Sequence, residues 1–148
     1  MSKTMAAQDL SQYLAFLLAS AHKQMRIGLG QSIGDEEFNE EHWRILQVLS
    51  DEQGRSMGEL AVRVLLNGPA LTKNIDKLVS RGVVQRAPDA HDCRKVLVYI
   101  SDLGLETVAR LKQRVDAHHE SIDEALGTRK TKQLKRLLES FIAESQQN

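Results

Sequence analysis

Cysteine is almost missing from this chain. Cys93 stands alone in 148 residues, which excludes an internal disulfide and fits a reducing compartment. Long apolar runs are missing too: the longest near the start, residues 13–19, is too short to span a bilayer and has no cleavage pattern, so the expected location is cytoplasmic. Neither sign of charge is in excess, with twenty basic and twenty acidic residues, so net charge argues nothing about partners. Catalytic motifs are also absent. There is no nucleophile elbow, no glycine-rich phosphate loop and no close acid pair with a partner, so neither an enzyme nor a cofactor is expected. No internal repeat or low-complexity stretch appears, and the length suits one domain.

What is present is unevenly placed. Between residues 35 and 52 stand seven acids (Asp35, Glu36, Glu37, Glu40, Glu41, Asp51, Glu52) against Arg44 alone; between 55 and 100 stand eight bases against four acids. One basic face on a neutral protein points to a specific duplex contact. The acidic run 35–41 reads as a solvated loop and helix start. A first helix, residues 9–29, has Leu10, Tyr13, Leu14, Leu17, Ala21 and Met25 on one stripe, with Phe16, Leu18 and Ile27 outside it. That is more apolar surface than one core needs, so this helix is expected to pack on a second subunit as well. Gly28, Gly30 and Gly34 are expected to break it into a loop. A second helix follows Asn39, with Phe38 and Trp43 at hydrophobic-staple spacing, Ile45, Leu46 and Leu49 buried, and Gly54 closing it. The third opens on a capping box, Ser56-Met57-Gly58-Glu59, with Met57, Leu60, Ala61, Val64 and Leu65 as its apolar face.

The stretch 67–103 organises the rest. In the run 69–81, Leu71, Ile75, Leu78 and Val79 share one side of a helix, while Pro69, Ala70, Lys73, Lys77 and Ser80 share the other. Asn67 is placed to cap this helix and Gly82 to stop it. A short turn around Leu66 and Asn67 joins it to the third helix, which makes a helix-turn-helix. Two strands follow, 83–86 and 95–100, the second with Val96, Val98 and Ile100 on one face. Between them 88–94 is too long for a tight turn and is expected to project as a wing. Ser101 or Asp102 caps a long helix to about Leu126, Gly127 ends it, and a last helix carries Leu134, Leu137, Leu138, Phe141 and Ile142 at helical spacing.

At the wing the residues become specific. Asp76-Lys77-Leu78, Arg81-Gly82-Val83-Val84, Pro88-Asp89-Ala90-His91-Asp92-Cys93-Arg94 and Ile100-Ser101-Asp102-Leu103-Gly104 resemble the MarR family of dimeric bacterial transcription regulators. The family pattern there is D-R-L, R-G-L-V, P-D-x-x-D-x-R and L-T-x-x-G. The helical layout matches over essentially the whole chain, and the motif covers about a quarter of it. The resemblance implies a mainly α fold with a two- or three-stranded β wing, in one domain over 1–148. A winged helix-turn-helix lobe would occupy 39–101 and dimerisation helices 9–34 and 102–148. It implies a homodimer that binds double-stranded DNA, a repressor released by a small ligand. Arg94 would enter the minor groove beside the recognition helix, with Asp92 orienting its guanidinium.

One departure bears on readout. Where the family often has hydroxyl or basic side chains at the start of the recognition helix, this chain has Gly68, Pro69 and Ala70. Pro69 or Ala70 can touch a thymine methyl, and hydrogen-bonded readout falls to Thr72, Lys73, Asn74 and Lys77, with Asn67 capping the helix beside them. The family senses small aromatic acids, their thioesters, oxidants or metals. A ligand site is expected where the first, second and fifth helices meet, near His22, Met25, Arg26, Phe38, Trp43 and Arg44; the competing expectation is that Phe38 and Trp43 are staple and core, and Arg44 a surface arginine. His118 and His119 point about 100° apart on a helix, and no chelating spacing supports a metal site. Two other readings stay open: a winged-helix protein-interaction module without DNA binding, and a metal- or redox-responsive regulator, the latter through Cys93.

Overall fold

In the computed structural model, residues 9–35 and 37–148 are described; Glu36, one of the acids of the 35–52 run, lies outside them. After a single 3₁₀ turn, Leu10–Gln12, the helices are α1 (Leu14–Ile33), α2 (Glu40–Leu49), α3 (Met57–Val64) and α4 (Gly68–Ser80). The strands β1 (Val84–Pro88) and β2 (Val96–Ile100) come next, followed by α5 (Asp102–Leu126) and α6 (Thr128–Ser145). The strands pair antiparallel from Val84↔Ile100 to Pro88↔Val96. Arg55 adds a single antiparallel bridge on the other side of β2, donating to Val98 O at 3.1 Å and accepting from Val98 N at 2.8 Å.

The caps explain most boundaries. Asn67 Oδ1 accepts from Ala70 N at 2.8 Å and starts α4; Ser101 Oγ accepts from Gly104 N at 3.0 Å and starts α5. Gly34, Gly82 and Gly127 take positive φ where helices end. Asn39 and His42 cap α2 reciprocally: Asn39 Oδ1 accepts from His42 N at 3.0 Å, and His42 Nδ1 accepts from Asn39 N at 3.2 Å. At α3 only half of the expected box forms. Ser56 Oγ accepts from Glu59 N, while the Glu59 carboxylate turns to Arg63 at 3.4 Å.

Four expectations are corrected. Gly28 and Gly30 do not break α1, which runs on to Ile33; at Gly28 the His118 ring of α5 comes so close that a Cβ would collide with it, so packing explains this glycine. Gly54 does not close α2, which ends at Leu49; it sits under the Tyr99 ring instead. The first strand starts at Val84 and extends to Pro88, because Val83 N still closes the preceding turn on Leu78 O at 3.1 Å. Leu65 is not on the buried face of α3. It caps the helix at φ 58°, ψ 43° and is 82% exposed. A left-handed leucine costs about 1–2 kcal/mol. Leu65→Gly is therefore expected to raise stability by about 0.5–1 kcal/mol, after allowing for the freedom glycine has when unfolded. The urea midpoint checks it.

The core lies in the lobe between residues 33 and 111. Ile45, Leu46, Leu49, Leu60, Leu71, Ile75, Leu78, Val98 and Leu111 are fully buried there. The ends differ. Leu14, Phe16, Leu17, Met25 and Ile27 of α1, and Leu134, Leu137, Phe141 and Ile142 of α6, are all exposed. Among the described residues no helix is long and apolar enough to cross a membrane.

Candidate nucleic-acid interface

Leu71, Ile75 and Leu78 anchor α4 in the core, and this turns Pro69, Thr72, Lys73, Asp76 and Lys77 outward. Thr72 Oγ1 donates back to Gly68 O at 3.0 Å, which leaves its oxygen lone pairs facing out. Asp76 pairs with Arg86 of β1 at 2.5 Å, so the wing strand is tied to the outer face of α4. Beyond β1 the chain turns through residues 89–95. Asp89 N donates to Lys95 O and Lys95 N to Asp92 O, both at 2.9 Å. At its tip Asp92 Oδ1 accepts from both the backbone N and the Nε of Arg94, each at 3.1 Å. Arg94 is 92% exposed along its side chain, so apart from that bond its guanidinium faces solvent. Cys93 beside it is exposed.

Asn74, expected among the readout residues, is corrected. It is 9% exposed, and its Nδ2 donates to Glu41 Oε2 and to Ala70 O, both at 2.9 Å. It faces α2 and has no surface to offer a base. Its position three residues after Leu71 and four before Leu78 put it on the buried stripe; its polarity hid that.

The six expected ligand residues divide. His22, Arg26 and Arg44 line a cavity of about 440 Å³ with Glu40, Glu41 and the turn residues Leu65 and Leu66. His22 and Met25 also border a more apolar space of about 520 Å³ between α1, α5 and α6, with Ile122 and Leu138 in its walls. Phe38 and Trp43 line neither and are corrected. Phe38 is core, edge-on to His42 at 6.2 Å, with the Arg81 and Arg110 guanidinium groups 5.4 and 6.0 Å from its ring centre. Trp43 is partly buried against the same core. Arg44 is held structurally: Glu40 takes its Nη2 at 2.5 Å, and its Nη1 donates to Val64 O at 2.8 Å. Nor is the acidic loop wholly solvated. Burial would raise the Asp35 carboxyl, but Arg110 at 2.6 Å and the backbone N–H groups of Glu37 and Phe38 hold it below the ordinary value.

His42 is a side chain whose role the sequence hid. It is 3% exposed, and burial first, then the Arg81 and Lys77 charges, push its pKa down to about 4, against smaller support from Asn74 and Glu41. Its Nδ1 must stay unprotonated to accept from Asn39 N. The folded state therefore refuses a proton that the unfolded chain accepts near 6.5. The resulting stability is complete above pH 6.5 and drains away as pH falls towards 4, by about 3 kcal/mol at most. Urea unfolding at pH 7 and pH 4.5 is expected to show most of that loss, and His42→Gln to flatten it. Among the described residues no three His, Cys, Asp or Glu side chains gather to hold a metal; His118 packs on Gly28 and His119 lies 3.2 Å from Lys135 Nζ.

A family model described as the MarR family matches residues 38–95. The homoprotocatechuate degradative operon repressor of Escherichia coli is 28% identical over 106 residues, 72% of each chain. Among solved structures, the transcriptional repressor CouR bound to a 23-mer DNA duplex superposes with a TM-score of 0.83 at 24% identity, over 91% of this chain and 96% of that one. Bordetella bronchiseptica BpsR, whose DNA binding is regulated by 6-hydroxynicotinic acid, gives 0.82 at 20% identity, over 89% and 94%. These two likenesses concern the fold, which is the winged helix-turn-helix.

Proposed function

We propose that this chain is a member of the MarR family and a sequence-specific, DNA-binding transcriptional regulator, a repressor released by a small organic acid; the family match over residues 38–95 and the 28% identity to the operon repressor support this reading. The observation that carries this is the joint presentation of Lys73, Lys77 and the Asp92-oriented Arg94 on a helix and wing tied together through Asp76 and Arg86. Readout then rests on Thr72, Lys73 and Lys77, with the Pro69 and Ala70 surface for thymine methyls. Asn67 supports the first turn of α4 from its cap.

Residues 39–101 form the DNA-binding lobe in this reading, and 9–34 with 102–148 the dimerisation arms, whose exposed apolar side chains cover one another in a two-fold pair. Two recognition helices one turn apart on the duplex call for a pseudo-palindromic operator with half-sites roughly 10 base pairs apart. The cavity with Arg26, Arg44 and His22 supports an acidic effector, since a carboxylate can pair with a guanidinium while its carbon skeleton meets Leu65 and Leu66.

The test is a mobility shift across a salt series on duplexes selected from a random pool. With about four phosphates neutralised per subunit, log K is expected to fall against log salt with a slope near −7. Recovery of no palindromic, salt-sensitive complex would favour the protein-interaction reading instead.

A further inference from the structure

The cavity and the recognition helix share a wall. Glu41 lines the cavity beside Arg26 and Arg44, yet its Oε2 accepts the Asn74 Nδ2 proton at 2.9 Å from α4. Asn74 is buried, and its other amide proton goes to Ala70 O one turn back. Arg44, one turn after Glu41 on α2, reaches across to Val64 O, the last residue of α3. The turn that follows, with Leu65 held at positive φ, closes the cavity on that side. Side chains that face the cavity therefore hold the end of α3 and the middle of α4.

A carboxylate in a DNA-binding lobe ordinarily repels phosphate, and removing it tightens binding. Glu41 has a different task. We propose that Glu41 is a positioning residue, which sets α4 through Asn74 and transmits the state of the cavity to the DNA-reading face. The inference rests on the DNA-binding reading above. The bond is charge-assisted and partly shielded from water, hence stronger than a neutral one. An occupant of the cavity that displaces the Glu41 carboxylate leaves a buried amide N–H without an acceptor, and α4 must shift to find another. Two states with different operator affinity follow, and the occupant favours the weaker one.

The experiment reads operator affinity over a salt series. Glu41→Ala is expected to weaken binding about 10-fold, against the electrostatic sign, with the salt slope unchanged because no phosphate contact is lost. Glu41→Gln keeps an acceptor oxygen without the charge and is expected to bind at least as tightly as the unsubstituted protein. Asn74→Ala should match Glu41→Ala, and the double substitution should be no weaker than either. Tighter or unchanged binding by Glu41→Ala, or a glutamine variant as weak as the alanine one, would overturn the proposal.

For the cavity itself, Arg26→Cys in a Cys93→Ser background is labelled with benzyl methanethiosulfonate as a fixed occupant. Labelling is expected to weaken operator binding when Glu41 is present and to have no effect in the Glu41→Ala background. No effect in either, or equal loss in both, would overturn the link. If the unsubstituted protein selects no duplex, the DNA-binding reading has failed. Amide exchange within 71–78 still decides the tether without DNA: faster in Glu41→Ala and unchanged in Glu41→Gln supports it, and unchanged exchange in both sinks it.

Discussion

Arg94→Ala is expected to lower operator affinity between about 5- and 140-fold while the dimer and its stability stay as they were. The range is the roughly 1–3 kcal/mol of one specific arginine contact, converted at 1.4 kcal/mol per decade. Stability should move by no more than about 0.5 kcal/mol, because the side chain is exposed and its recorded partner is Asp92 on the same turn. A narrow minor groove concentrates negative potential, and a guanidinium at a hairpin tip reaches it without displacing the helix beside it. Arg94→Lys keeps the charge and loses the planar fork, so it should fall between the two. Asp92→Ala should cost less affinity than Arg94→Ala, since the arginine remains but its Nε loses the 3.1 Å acceptor that aims it. Titration of a selected operator and of a scrambled duplex separates these effects. Equal losses on both duplexes would make Arg94 a phosphate contact only, and unchanged affinity would remove the wing from the interface.

Residue chemistry acting over a few positions was readable from the sequence. The cap at Asn67, a cap at Ser101 or its neighbour Asp102, the turns at Gly82 and Gly127, the wing and the buried stripe of α4 each depend on neighbours within about eight positions. What was hidden depends on distant partners. Gly28 and Gly54 look like local breaks, but the His118 and Tyr99 rings lie against them where a Cβ would stand. Asn74 looks like a base-reading amide until Glu41, 33 positions earlier, is placed opposite it. Leu65 takes the left-handed conformation with no glycine or asparagine to announce it. In the expected ligand set, His22, Arg26 and Arg44 do border one cavity, while the aromatic pair went to the core and its edge, because a single chain offers no way to tell an aromatic cavity wall from an aromatic core.

Phe141→Asp is expected to split the dimer and, with it, to weaken operator binding by more than about 100-fold. Phe141 lies on α6 with Leu137 and Ile142, and all three are about half exposed or more, as are Leu14 and Leu17 on α1. Burying one such ring contributes about 1.5–3 kcal/mol, and a two-fold interface counts each substitution twice. A carboxylate in the same place adds an unpaired charge at a site that closes against apolar surface. The monomer's own fold should survive, since the buried core spans residues 33–111 and α6 contributes no side chain to it. Far-UV circular dichroism should therefore be unchanged while sedimentation reports a chain of half the mass. The affinity loss follows from effective concentration: two tethered recognition helices gain roughly 10²–10⁴ over one, and a lone lobe forfeits that factor on a palindromic site. Val62→Asp is the control. Val62 is also an exposed apolar residue, but it sits on α3 in the lobe, outside both arms, and should leave the sedimentation unchanged. A Phe141→Asp chain that still sediments as a dimer would place the pairing surface elsewhere.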